Sequence, residues 1–397
     1  MTPIIALGLT QTLAWASSTY LIAIVASPIA RDLGLPVSTV FAAFSVALVV
    51  MGLTGPAVGR EIDRRGGRGA LAASNLVLAA GLGLLGLASN AAMLFAAWIL
   101  LGAGMALGLY DAAFAALVRI FGTRARGPIT AITLIAGFAS TVGWPLTALI
   151  VEHHGWRASC FAWAAMHLLV ALPLNLLLIP KTRDGVAQDV NASSSAKGSA
   201  LSGDADGSIG RYQKRALVLV TLFASMAAFV TSAMAAHLPG LLQAAGTAPT
   251  AALTAAALVG PAQVAARLLE FLAAQRLKLH SLFTARAAVA LHPVGAFLLI
   301  LFGGSPFAAS AFALLHGAGN GMVTIARGTL PLAIFGPEGY GHRQGVIGVT
   351  ARSMQAVAPF AFGVVLERSG ASAALGVTIA FSIAALAALI ALRPSAE

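Results

Sequence analysis

Gly59-Arg60-Glu61-Ile62-Asp63-Arg64-Arg65-Gly66-Gly67-Arg68 is a short, densely charged stretch between two long apolar runs, 38–60 and 69–89. Each run approaches the ~20 residues needed to cross the hydrocarbon of a bilayer. The stretch therefore reads as the loop between two membrane helices. Gly66 and Gly67 allow a turn too tight for side chains, and the arginines mark a cytoplasmic loop. Asp63 stands at a helix end, where a carboxylate can bond the N-terminus of a neighbouring helix or an arginine such as Arg119.

Working outward, such runs recur along the whole chain. Of its 397 residues 59% are hydrophobic and 9% charged, whereas soluble domains carry roughly 25% charged residues. Twelve spans are predicted, at 4–30, 38–60, 69–89, 92–118, 127–151, 158–179, 216–242, 250–273, 281–303, 306–334, 344–367 and 371–392. The first begins almost at Met1, another span follows directly, and no small-residue cleavage site trails it. It reads as a retained helix and not a signal peptide.

Segment 181–215 differs. Lys181, Arg183, Asp184, Asp189, the Ser193–Ser195 run and Asp204, set among glycines, suit a flexible, solvated linker. The expected organisation is a six-helix bundle at 1–180, a cytoplasmic linker at 181–215 and a second bundle at 216–397. With both termini in the cytoplasm, most of the basic residues face inward and only Arg31, Arg157 and Arg368 fall outside. The expected location is the inner (cytoplasmic) membrane, in contact with the lipid bilayer. The net charge of +11 is spread over many short loops, which argues against nucleic acid as a partner. A single cysteine, Cys160, excludes an internal disulfide and a cysteine metal cage.

The second half repeats the first about 214 residues later. Gly102-Ala103-Gly104 recurs as Gly317-Ala318-Gly319, Ile120-Phe121-Gly122 as Ile334-Phe335-Gly336, Pro145 as Pro359 and Pro180 as Pro394. Gly55-Pro56-Ala57 is echoed by Gly260-Pro261-Ala262, and Arg60-x-x-Asp63 by Arg267-x-x-Glu270. Duplicated helix bundles are how many secondary transporters are built. The 59–68 stretch also resembles the G-x-x-x-D-[RK]-x-G-[RK]-[RK] loop signature of the major facilitator superfamily. Gly67 replaces the first of the last two basic residues and Arg68 keeps the second.

That resemblance covers essentially the whole chain. It implies an all-α membrane protein of twelve transmembrane helices in two pseudo-symmetric six-helix bundles, with helices 1, 4, 7 and 10 lining a central cavity. It also implies a cytoplasmic gate, carried here by Gly59, Asp63, Arg64, Gly66 and Arg68 together with Arg119.

Charges inside the membrane belong in cavities or pairs. Asp111, beside Tyr110 in the fourth span, is the one acid well inside a span, and the repeat maps it next to Arg327 in the tenth. His316, Asn320, Thr324 and Arg327 follow steps of four, four and three and share an arc of about 80°. They form a polar stripe expected to face water. Gln11, Trp15 and Ser18 make a weaker stripe in the first span. His237 lies in the seventh span, and Arg352 and Gln355 in the eleventh. Alternatives stay open at this point. Asp111 and Arg327 either join the halves or handle substrate and proton. Arg352 is either a helix-end or a site residue, His237 a plain interhelical bonder or a ligand, and Trp15 packing or lining.

The signature of drug-efflux branches is absent, since Trp98 stands where an arginine is usual before the glycines of the fourth span. The chain is more similar to the monocarboxylate-porter and oxalate/formate-antiporter branch. In those porters a D-x-x-x-R run in the eighth span supplies an arginine for the substrate carboxylate. Gln263-Val264-Ala265-Ala266-Arg267 keeps the arginine and replaces the acid, so the resemblance makes Arg267 a candidate carboxylate binder. A guanidinium holds a carboxylate by two parallel bonds. A substrate carboxylate that took over an arginine would leave Asp111 without its counter-charge and favour its protonation, which would link anion and proton.

The expected function is secondary active transport of a small organic anion, proton-coupled or by exchange with a counter-anion. The alternative is an efflux pump for drugs, sugars or other amphipathic molecules. His153-His154 lacks a second ligand pair at metal spacing, and Ser194-x-x-Lys197 lies in the linker, where no nucleophile is pre-organised. No enzyme, metal or cofactor is expected.

Overall fold

The computed structural model describes residues 2–181, 204–277 and 279–392. Among them the chain is helical throughout, with no strand. The first half holds α1 (Thr2–Leu33), α2 (Val37–Arg65), α3 (Gly67–Gly86), α4 (Ala91–Gly108 and Tyr110–Phe121), α5 (from Arg126 to residue 154) and α6 (156–178). The second half holds α7 (Asp204–Ala244), α8 (Pro249–Ala257 and Val259–Leu277), α9 (Ser281–Leu301), α10 (Pro306–Phe335), α11 (340–369) and α12 (371–390). Most of the expected linker, 182–203, lies outside the described residues, and its last part, from Asp204, already belongs to α7.

The repeat is legible in the backbone. Gly155 (φ 82°) turns the chain between α5 and α6, and Gly370 (φ 79°) does the same between α11 and α12. Gly122 (φ 56°) ends α4 as Gly336 (φ 72°) ends α10. These left-handed positions favour glycine, so the same residue recurs at the same place in both halves. Local signals set other helix starts. The Asn90 side chain accepts the Met93 N–H at 3.0 Å and caps α4, and Pro249 and Pro306 open α8 and α10.

Helices in lipid gain little from burying oil against oil, so they associate where small residues let backbones meet. A Cβ on Gly102 would come within 2.4 Å of the Ala47 carbonyl oxygen on α2, and one on Gly317 within 2.6 Å of the Val259 carbonyl oxygen on α8. The duplicated Gly-Ala-Gly is thus a pair of matching helix crossings.

The halves meet most closely along α2 and α11. A Cβ on Gly59 would lie 2.0 Å from the Gly341 carbonyl oxygen, and one on Gly345 would lie 2.5 Å from the Gly55 carbonyl carbon. The seam is backbone on backbone. It sits toward the end of the molecule that carries the 59–68 loop.

Candidate functional site

Three first-half helices are interrupted along their length, and two of them, α4 and α5, pack against the second half. α1 loosens over residues 18–21, α4 breaks at Leu109 (φ −78°, ψ −172°) and α5 breaks at 137–138. Irregular backbone inside a membrane protein needs new partners for the groups it frees. Gln11 Nε2 donates to the freed Gly108 carbonyl at the α4 break. That break places Asp111 in the first turn of the second α4 segment.

Asp111 meets two guanidiniums from the other half. Arg352 Nη2 of α11 lies 2.9 Å from Oδ2, and Arg327 Nη2 of α10 lies 4.0 Å from Oδ1. Gln344 Nε2 bridges the group, donating to Asp111 Oδ1 at 3.4 Å and to the Arg327 carbonyl at 3.1 Å. Gln355 Oε1 accepts from Arg352 Nη1 at 2.8 Å. Asp111 and Arg327 each keep 20% side-chain exposure while Arg352 is buried. One carboxylate faces two cations, which leaves a surplus positive charge. Beside Asp111 a cavity of about 10 Å³, at the limit for one water, is closed in by Gly55, Gly59, Gly341 and Gly345.

Arg267 of α8 adds a third cation. It is buried and reaches across the interface, where Nη1 donates to the Thr133 carbonyl of α5 at 3.1 Å. Nη2 reaches Gln263 Oε1 at 3.3 Å and Thr324 Oγ1 at 3.4 Å, and Nε reaches the Gly321 carbonyl at 3.3 Å. Every one of these acceptors is neutral. A Cβ at Gly137 would stand 2.7 Å from Arg267 Nη1, so the α5 break makes room for the guanidinium.

The other residues singled out in the sequence have separate positions. Trp15 lies against Tyr110, with centroids 5.0 Å apart. Asn320 Oδ1 accepts from Thr231 of α7 at 2.8 Å. His316 turns away from Arg327 into the packing between α9 and α10, where its Nδ1 lies 3.1 Å from Nδ1 of His292. The polar stripe of α10 thus makes contacts with four neighbouring helices, and of its members His316 is buried while Asn320, Thr324 and Arg327 stay partly exposed. His237 lies 2.7 Å from the Pro359 carbonyl and ties α7 to α11.

At the loop end, Asp63 accepts the Gly341 and His342 N–H groups, each at 2.8 Å, and so caps the N-terminus of α11. Of the two partners expected for it, the helix end is the one met. Arg119 Nε is buried without a hydrogen-bond partner, Arg64 is exposed and Arg68 half-buried. Gly66 takes φ 81°, and a Cβ on Gly67 would stand 2.1 Å from that of Ala116. This contact explains why a basic residue is missing from that place in the loop.

The second half answers with its own latch: Glu270 of α8 pairs with Arg126 at the start of α5 at 3.1 Å and accepts from Thr284 at 3.2 Å. Gln344 was missed in the sequence reading. Its spacing of eight and eleven from Arg352 and Gln355 puts all three on one face of α11, a signal that was available.

The family model of the Major Facilitator Superfamily matches residues 7–359 of this chain. The crystal structure of the human organic anion transporter MFSD10 (TETRAN) superposes with a TM-score of 0.70 over 99% of both chains, at 17% identity, a likeness of fold. An uncharacterized 38 kDa protein in the 23S RNA operon of Thermoproteus tenax is 32% identical over 165 residues, or 41% of this chain. The match spans 43% of that relative's length.

Proposed function

The chain belongs to the major facilitator superfamily, and from that premise we propose that it is a secondary active transporter of a small organic anion, a carboxylate, working by alternating access. The observation that carries this reading is the charge imbalance between the halves. Arg267, Arg327 and Arg352 converge on the interface from the second half, and among the described residues Asp111 is the one carboxylate that pairs with any of them from the first. Arg267 is held only by neutral acceptors, so a substrate carboxylate can take it without displacing an internal acid. A charge-assisted, two-pronged bond is the strongest contact such a site offers.

Asp111 is the proton-coupling group in this reading. An anion that draws Arg327 or Arg352 away strips Asp111 of counter-charge, and a proton then replaces the lost partner. Rocking of the halves about the site breaks and remakes the two latches, Asp63 on α11 and Glu270 on Arg126. The 59–68 loop, both termini and these latches lie on the cytoplasmic side of the inner membrane in this reading.

Uptake of labelled mono- and dicarboxylates by proteoliposomes holding the full chain, with and without a pH gradient, tests it. Saturable uptake is expected, with Arg267→Gln lowering kcat/KM by about 100-fold, as for loss of a buried charge-assisted contact. Arg327→Lys is expected to lower it less. If no carboxylate is taken up, or if neither change alters the uptake, the reading is wrong. The aromatic residues Trp15, Tyr20 and Tyr110 at the helix breaks favour a second reading, export of amphipathic compounds. Transport of such compounds that is indifferent to all three arginines would select it.

A further inference from the structure

Trp15, Tyr20, Tyr110, Phe114 and Trp144 form a connected file of rings in the first half. Centroids lie 5.6 Å apart for Trp144 and Tyr20, 6.2 Å for Tyr20 and Trp15, 5.0 Å for Trp15 and Tyr110, and 5.1 Å for Tyr110 and Phe114, which are stacked at 9°. The file starts at Trp144, which is 43% exposed, and ends at Phe114, which packs at Gly328 of the second half. It flanks the breaks in α1 and α4, and Arg267 meets α5 at Gly137, between Ile135 and Gly143, which neighbour Thr12 and Ala16 on either side of Trp15.

Packing alone does not account for it. At the offset of the internal repeat, Trp15 and Tyr20 fall on Phe229 and Met234, both buried in apolar packing. The same helix positions therefore fold without an indole or a phenol. Buried Tyr and Trp ordinarily find hydrogen-bond partners. Among the described residues neither tyrosine hydroxyl has a hydrogen-bond partner, and Trp15 Nε1 is buried with no acceptor.

We propose that the transported anion is an aromatic carboxylate, its ring lying along Trp15 and Tyr110 and its carboxylate on Arg267. This rests on the anion-transport reading and narrows it. Stacking supplies the discrimination. An aromatic pair contributes beyond its buried area by an amount equal to about a three- to tenfold preference, so the site selects a flat ring over a saturated one of the same size.

The test is uptake of benzoate and phenylacetate against cyclohexanecarboxylate and propionate by the full chain in proteoliposomes. The expected result is a three- to tenfold higher kcat/KM for the aromatic acids. Trp15→Leu should flatten that preference while propionate uptake persists, and Trp15→Phe, which keeps a ring, should preserve it. Benzoate should also quench tryptophan fluorescence in Trp144→Phe and fail to do so in the Trp144→Phe, Trp15→Phe double variant. Equal uptake of all four acids with Arg267 still required would overturn the aromatic assignment and leave anion transport standing. Absence of uptake of any carboxylate would remove the reading beneath it as well.

Discussion

Where α3 crosses α4, the first half packs Leu78 against Gly104 and Leu101 against Gly81. Where α9 crosses α10, the same places in the repeat hold His292 and His316, each buried and bonded to the other. The reverse exchange occurs elsewhere. His167 of α6 lies 2.7 Å from Ser17 Oγ and 2.9 Å from Asn75 Oδ1, whereas its counterpart Phe381 stacks on Phe229 with centroids 4.4 Å apart. The acid and the aromatic file belong to the first half, and the three converging arginines to the second. Glycine turns and small residues at crossings fix the shared plan. The side chains between those points are free to diverge, and the central chemistry needs both sets. The proposed site, assembled from two unlike halves, exists only at their interface.

The comparison breaks hardest if the first half loses its acid. Asp111→Asn leaves Arg327 and Arg352 facing each other with no carboxylate between them. Removing one partner of a buried pair costs about 3 kcal/mol or more, so a clear fall in the unfolding temperature in detergent is expected. Uptake should also lose its response to a pH gradient. Unchanged stability would mean that the two arginines are compensated elsewhere.

A smaller effect separates the two inter-half seams. Gly345→Ala drives a methyl into the backbone of Gly55 and Pro56, both within 2.6 Å. It should hold the loop end apart and lower uptake by roughly tenfold, on the scale of overpacking at a tight contact. Gly260→Ala, in the α8 copy of the same Gly-Pro-Ala run, meets open space and should leave uptake within about twofold, as expected of substitutions away from tight contacts. Cross-linking of cysteines introduced at Arg64 and Glu338 reports the closure, because the native Cys160 is buried.

The smallest effect sharpens the histidine–leucine contrast. His316→Leu strands the His292 ring and should cost about 1–3 kcal/mol in thermal unfolding. The His292→Leu, His316→Leu double variant copies the first half and should recover most of that loss, since replacing both partners with apolar groups is close to neutral. A double variant less stable than the single would show that the two crossings are not equivalent.

The fold was legible because its determinants are local or repeated. Apolar runs of membrane length gave the helices, and the Gly-Ala-Gly and Ile-Phe-Gly repeats marked equivalent crossings and turns. The repeat placed Asp111 and Arg327 at near-equivalent positions of the two halves, and it left open whether they pair. Arg352 as the nearer partner was not legible, because α2 and α11 approach through glycines, and a helix pair in contact without side chains leaves little trace in hydrophobic period. The α10 stripe was legible as a polar face, and its partners were not. A polar face tells that partners exist, and it cannot tell water from another helix: His316 found His292, and Asn320 found Thr231. The aromatic file escaped because its members come from three helices and are joined only by the breaks in α1, α4 and α5.

The glycine seam between α2 and α11 has a thermodynamic corollary. Ordering a long side chain costs up to about 2 kcal/mol in lost rotamers, and glycine has none to lose. Along Gly55, Gly59, Gly341 and Gly345, closing and parting freeze and release almost no side-chain motion. Under the proposed rocking of the halves, this seam itself therefore adds little side-chain entropy difference between the closed and parted arrangements.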